Sequence, residues 1–213
     1  MSYQTEEEQV EKIRELWNRH GIPLLTGVVI ALAGVFGWQG WTNYQDNKAA
    51  NASALYQNML ETVLAGDSEE ARTRGAELAE QIRSEYAGTR YAQFAGLMQA
   101  RLAVEAGDMS SAEAVLRDVT EQAGDETLQE VARQRLARVL ADQERAEEGL
   151  ELFSSDVDGA LLAGREEVRG DLLLGLGRVD EARQAYLAAM EAIDDPRDRP
   201  QLQLKLDDLA EEV

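Results

Sequence analysis

Gly107-Asp-Met-Ser-Ser-Ala112, Ala141-Asp-Gln-Glu-Arg-Ala146 and Gly177-Arg-Val-Asp-Glu-Ala182 align without gaps. Each sets a small residue five positions before an alanine, and Gly66-Asp-Ser-Glu-Glu-Ala71 fits the same frame. Ala112 and Ala146 are 34 residues apart, and Ala146 and Ala182 are 36 apart. Leu102, Leu136 and Leu172 repeat upstream with the same two steps, and Leu116, Leu150 and Tyr186 repeat downstream.

A period near 34 with two helices per unit predicts a tetratricopeptide-like stack of helical hairpins. The small residue before each turn lets the chain reverse. The alanine of the second helix lets two helices approach, and the large residue four positions on fills the groove beside it. Ala112, Leu116, Ala146, Leu150, Ala182 and Tyr186 are therefore the expected packing positions. The aromatics usual in the first helix of such repeats are missing, so the units are degenerate. Before them, Ala52, Leu55, Tyr56, Met59 and Val63 keep one helical face apolar up to a break at Gly66-Asp67. Asp67 or Ser68 can cap the next helix, which carries Ala71, Leu78 and Ile82 on one face. From Asp198 a last amphipathic helix, with Pro200 in its first turn and Leu202, Leu206 and Leu209 on one side, is suited to close the open end of the stack.

Ahead of the repeats, Ile22 to Trp41 holds no charged residue. A helix of that length spans about 30 Å, the thickness of a bilayer's hydrocarbon. Pro23 is expected in its first turn, where a missing N–H costs little. Trp38, Trp41 and Tyr44 sit at its far end, the level at which amphipathic rings settle. A buried core helix is the plainer alternative, but such helices rarely run this far without charge. Ala50-Asn-Ala52 and Ala52-Ser-Ala54 look like signal-peptide cleavage sites, yet the apolar stretch is longer than a signal core and they lie too far beyond it. Lys12, Arg14 and Arg19 precede the span and only Lys48 follows closely, which predicts a cytoplasmic N-terminus. The expected division is 1–21 cytoplasmic tail, 22–41 transmembrane helix and 42–213 domain on the other side. Gly27, Ala31, Gly34 and Gly37 form a possible helix-packing face within the span, though small residues are common in membrane helices.

The chain carries 41 acidic against 21 basic residues, a net charge of −20. That repels phosphates and anionic headgroups, so nucleic acid is not an expected partner, and the bilayer is engaged through one helix only. Cysteine is absent, which excludes disulfides and thiolate chemistry, and His20 is the one histidine. No nucleophile–histidine pairing, metal motif or phosphate loop is present, so the sequence predicts neither an enzyme nor a cofactor. Hairpin stacks bind segments of other proteins. An acidic concave face would favour basic or partly unfolded chains, but the sequence does not say which face carries the charge.

Tyr3-Gln-Thr-Glu-Glu-Glu-Gln-Val10, the uncharged span with Gly37-Trp38 and Trp41, and Ala52-Ser-Ala-Leu-Tyr56 followed by degenerate repeats together resemble the YfgM family. These are ancillary subunits of the bacterial Sec translocon. The resemblance implies a single-pass protein of the bacterial inner membrane with its C-terminal domain in the periplasm. It implies association with the SecYEG translocon and with a PpiD-type periplasmic chaperone, in handing newly translocated, unfolded polypeptides to periplasmic chaperones. It implies no catalytic residues. A membrane-anchored adaptor for an envelope stress-response regulator is the alternative, acting through the tail where Val10, Ile13, Leu16 and Trp17 share a helical face. A scaffold of another envelope assembly complex is a third.

Overall fold

The computed structural model describes residues 6–66, 68–157, 159–193, 195 and 199–211. Among them the regular structure is all α-helix. The chain divides into two compact units, Met1–Lys48 and Ala49–Val213. Helix α1, Glu6–Leu64, runs through both.

In the first unit, the apolar residues of α1 from Val10 to Trp41 are exposed. This is the helix, among the described residues, that is long and apolar enough to cross a membrane. Two of its threonine hydroxyls are satisfied locally. Thr26 Oγ1 donates to Ile22 O at 2.9 Å and Thr42 Oγ1 to Trp38 O at 3.1 Å, which removes their cost in an apolar medium. Pro23 departs from the expected first-turn position and lies inside α1. The helix begins well before the span, so proline removes one interior N–H, as membrane helices tolerate.

The second unit opens with the C-terminal part of α1. Ala52 and Met59 are fully buried there. The Ala50–Ala54 segment that resembles a cleavage site is thus helix, with Ala52 packed in the domain. Then follow α2 (Glu69–Glu85), α3 (Arg90–Glu105), α4 (Met109–Gln122), α5 (Glu126–Asp142), α6 (Ala146–Glu151), α7 (Ala160–Gly175), α8 (Val179–Glu191) and α9 (Pro200–Glu211). Ser68, Thr89, Asp108 and Asp125 cap the starts of α2 to α5, their side-chain oxygens accepting from backbone N–H groups of the first turn. Asp67 and Asp198 lie outside the described residues.

The core runs as consecutive clusters rather than one centre. Met59, Leu78, Ile82 and Ala95 join α1, α2 and α3. Leu97, Leu116, Val119, Leu136 and Leu140 join α3, α4 and α5. Ala137, Val168 and Leu172 join α5 to α7. Leu173, Tyr186, Leu202 and Leu209 join α7, α8 and α9. Each hairpin buries its apolar face only against its neighbours, the packing rule of solenoids. Leu202 and Leu209 are buried with Leu206 packed beside them, so α9 covers the apolar end as its spacing predicts.

Candidate interaction surfaces

Three turns share one hydrogen-bond pattern. Asp108 N donates to Ala103 O at 2.9 Å, Arg145 N to Leu140 O at 2.8 Å and Arg178 N to Leu173 O at 2.9 Å. The residue before each donor has positive φ: Gly107 at 77°, Glu144 at 63° and Gly177 at 73°. This is the Schellman end of a helix. It sets the repeat register from the backbone, and it corrects the gapless alignment. Glu144, not Ala141, stands where Gly107 and Gly177 stand. Gly149, not Ala146, is then the counterpart of Ala112 and Ala182. Its N–H donates to Arg145 O as those of Ala112 and Ala182 donate to Asp108 O and Arg178 O. By the same count Phe153, not Leu150, corresponds to Leu116 and Tyr186.

The sequence misses this because the second turn has no glycine to mark it. The slip of three residues keeps the same helix face, so Ala146 is still buried and Leu150 half-buried. In the corrected register each first helix carries a small residue at one position, Ala100, Ala137 and Gly170, and each second helix carries one at another, Ala112, Gly149 and Ala182. All six are buried. A Cβ on Gly149 would lie 3.0 Å from Ala137 O, and one on Gly170 would lie under 3.0 Å from three Tyr186 ring carbons.

Polar contacts bind one hairpin to the next. Glu113 on α4 accepts from Arg145 at 2.7 Å, and Glu148 on α6 accepts from Arg117 at 2.6 Å. Glu130 on α5 and Arg165 on α7 form a buried, bidentate pair, extended by Arg133 at 2.8 Å and Gln134 at 3.1 Å. Burial pushes the Glu130 carboxyl up, but the hydrogen bonds and charge of Arg165, Gln134 and Arg133 outweigh it and hold it below the usual value. Lys205 on α9 reaches Asp171 at 2.6 Å and Glu167 at 3.0 Å on α7, and it lies over the Tyr186 ring. Arg199 adds a 2.7 Å bond to Glu167.

The same register stacks Arg101, Arg138 and Asp171 at one position of α3, α5 and α7. Between α3 and α5 lies an open groove of about 370 Å³. Ala100 and Val104 line it from α3 and Val139 from α5, with Arg101, Arg135 and Arg138 and the carboxylates Glu105 and Asp142 around them. Arg101 is held by Glu105 of its own helix at 2.7 Å, with 59% of its side chain exposed. Arg138 lies 4.0 Å from Asp171, which Lys205 and the Tyr186 hydroxyl already engage. Arg135 donates to Leu97 O at 3.4 Å and has no ion pair among the described residues. The residue is exposed, but its guanidinium is shielded. That shielding first, and the like charges of Arg101 and Arg138 second, push it below the ordinary arginine value. Beside it, Tyr56, Tyr91 and Phe94 form an aromatic cluster with ring centroids 5.8 to 6.3 Å apart. Another hollow, of about 650 Å³ between α2, α3 and α4, is bordered by Glu69, Glu77, Glu105 and Asp108 together with Arg72. Both hollows therefore mix charges, three arginines with two carboxylates in the groove between first helices and one arginine with four carboxylates in the other.

In the span, Gly27, Ala31, Gly34 and Gly37 are all exposed, and a Cβ on any of the three glycines would meet nothing within 4 Å. Among the described residues no group of three or more His, Cys, Asp or Glu is placed to hold a metal ion.

These features define a class: a stack of helical hairpins on a chain with one helix long and apolar enough to span a bilayer. A family model described as a tetratricopeptide repeat-like domain matches residues 14–211. The ancillary SecYEG translocon subunit of Escherichia coli (strain K12) is 28% identical over 208 residues, covering 98% of both chains. Its namesake in Haemophilus influenzae is 28% identical over 193 residues, 90% of this chain and 92% of that one. The one from Aggregatibacter actinomycetemcomitans is 32% identical over 192 residues, again 90% and 92%. The chain belongs to this family of ancillary SecYEG translocon subunits, the YfgM family, with a tetratricopeptide repeat-like domain.

Proposed function

We propose that this protein is a non-enzymatic interaction subunit that associates with the Sec translocon and passes newly translocated polypeptides to periplasmic chaperones, including one of the PpiD type. The observation that carries the reading is similarity over the whole length, span and repeats together, to relatives named as ancillary SecYEG translocon subunits. In this reading residues 1–21 are cytoplasmic, 22–41 cross the inner membrane and 42–213 lie in the periplasm. Lys12, Arg14 and Arg19 ahead of the span support that direction. The exposed small residues Gly27, Ala31, Gly34 and Gly37 are the face offered to another membrane helix. The packing positions Ala112, Leu116, Ala146, Leu150, Ala182 and Tyr186 serve the stack and not a ligand.

Photo-crosslinkers placed at Gly27 and Gly34 in membranes test this reading, joined to affinity purification after gentle solubilisation. Capture of Sec subunits from the span, with a periplasmic isomerase in the eluate, is expected. Absence of both would end it. Val10, Ile13, Leu16 and Trp17 are exposed along the tail helix, which favours the regulatory adaptor as second reading. Capture of a cytoplasmic regulator at those positions, with silence in the span, would select it.

A further inference from the structure

Trp17 stands five residues before the uncharged span, and its ring rests on Gly21. A Cβ on Gly21 would lie 3.0 to 3.2 Å from the ring carbons Cδ2, Cε2 and Cγ. Gly21 is buried while His20 and Ile22 beside it are exposed, so the indole is what covers it. Helical side chains ordinarily lean toward the N-terminus, over the turn before their own Cα. The ring of Trp17 is turned the other way, toward the span, where Gly21 has no side chain to block it. It is otherwise open, with 58% of the residue exposed. The surface it joins is apolar. Ile13, Trp17, Gly21, Leu24, Val28 and Val35 follow one another in steps of three, four or seven residues, which keeps them on one side of α1. Arg19, two positions from both Trp17 and Gly21, falls on the opposite side. On this side the apolar surface of the span therefore continues past Ile22 into the tail.

We propose that Trp17 is set in the lipid headgroup layer at the tail end of the span, and that Gly21 is the positioning residue that turns its ring there. The headgroup layer is about 5–7 Å deep on each side of the hydrocarbon. Five residues of helix put the Trp17 Cα about 7.5 Å from Ile22 along the axis. A ring leaning the ordinary way would stand beyond the layer, in water. Laid over Gly21, it is carried by up to one turn, about 5 Å, toward the hydrocarbon and lies within the layer. Indole suits this level because its body is apolar and its N–H needs a polar partner. Lipid charge plays no part, since residues 1–21 hold five glutamates against three basic residues and do not attract anionic headgroups. The occupant is the headgroup boundary itself, that of phosphatidylcholine included. The span then has aromatic residues at both ends, Trp17 at one and Trp38 and Trp41 at the other. This takes Trp17 out of the tail face open to a cytoplasmic partner and leaves Val10, Ile13 and Leu16 there. The assignment rests on residues 22–41 crossing a membrane, and on neither the direction of crossing nor the Sec association.

The test uses the full chain carrying Trp38→Phe and Trp41→Phe, which leaves Trp17 as its one tryptophan, in phosphatidylcholine vesicles. Flotation comes first. A chain that does not float with the vesicles ends the membrane reading and this assignment with it. In a chain that floats, lipid brominated near the glycerol end of its acyl chains should quench most of the Trp17 emission, and lipid brominated near the methyl end little of it. Aqueous acrylamide should quench it less than it quenches Val10→Trp in a chain whose three native tryptophans are replaced by Phe. Val10 lies about 18 Å before Ile22, well beyond the headgroup layer. Gly21→Gln should push the ring away from the span, so that acrylamide quenching rises toward that of Val10→Trp and quenching by the shallow bromines falls. Gln is a good helix former and adds no apolar surface, so the helix is kept and the apolar stretch is not lengthened. A Trp17 that answers to acrylamide as Val10→Trp does, and not to bromine, overturns the proposal, because the ring then belongs to water or to a soluble partner. Equal quenching by both brominated lipids overturns it by placing the ring in the hydrocarbon. So does a Gly21→Gln chain in which neither quencher changes, since the glycine would then position nothing. No translocon component is present, so failure in a chain that floats leaves both the anchor and the Sec reading standing.

Discussion

Glu144 holds a left-handed backbone with φ of 63°, a conformation that costs a residue with a Cβ about 1–2 kcal/mol. Gly107 and Gly177 occupy the equivalent turns at no such cost. Glu144→Gly should therefore raise stability, by about 1 kcal/mol after allowing for the greater freedom of glycine in the unfolded chain. In a chain of this size that is a rise of about 2–4 °C in Tm, readable by circular dichroism. No rise would mean that Glu144 makes a compensating interaction. The opposite substitution belongs at Gly170, where a Cβ would run into the Tyr186 ring. That ring is buried, and its hydroxyl donates to Asp171 at 2.9 Å. It cannot withdraw without losing the bond, so Gly170→Ala should cost about 1–3 kcal/mol. Gly175→Ala, where a Cβ meets nothing within 4 Å, should not destabilise and serves as the control.

Between α5 and α7, the elements joined by Glu130 and Arg165, the polar contact is as deeply buried as the leucines around it. Removing one partner leaves a charge without compensation, a loss of about 3–5 kcal/mol. Glu130→Gln should show this in urea denaturation, with a lower midpoint and an unchanged slope. A pH dependence follows. Glu130 and Glu167 are both held below the ordinary glutamate value of 4.5: burial of each acts the other way, and basic partners outweigh it. A carboxyl with a lowered folded-state pKa contributes stability above its unfolded value and loses it as pH falls through the folded one. Stability should be flat from pH 7 to about 5 and then fall below 4.5, less steeply in Glu130→Gln. A flat profile through pH 3.5 would refute the coupling. At this scale the sequence is legible where a local signal exists. Caps such as Ser68, the period-3.6 faces of α2 and α9, and the uncharged span all follow from neighbouring residues. It was not legible where the signal is tertiary. Glu130 reads as one acid among 41, and its partner lies 35 positions away. Arg101 and Arg138 fall in line only once Glu144 is recognised as a turn residue without the glycine that would mark it.

For the whole molecule, charge decides between two opposed expectations about salt. The ion pairs between hairpins would weaken as salt rises, and stability would fall with them. Against that stand 41 acids and 21 bases, so even full pairing of every base leaves a balance of −20 that repels itself in the folded state. Most pairs other than Glu130–Arg165 are at least partly exposed, such as Arg178 with Glu181 at 43% and 49% and Arg117 with Glu148 at 39% and 39%. Exposed pairs contribute about 0–1 kcal/mol each and often nothing measurable. Repulsion between unpaired acids acts over longer distances and is the first interaction that salt removes, since the screening length drops from about 30 Å at 0.01 M to about 10 Å at 0.1 M. The folded state is the more compact one and suffers the repulsion more than the unfolded chain does. Sodium chloride raised from about 0.01 to 0.3 M should therefore increase Tm by several degrees, with most of the gain below about 0.1 M. The Glu130→Gln variant should show the same rise, because its buried pair is shielded from the solvent ions that produce the effect. A Tm that falls with salt would show that the inter-hairpin pairs, and not the excess of acid, govern the stability of the stack.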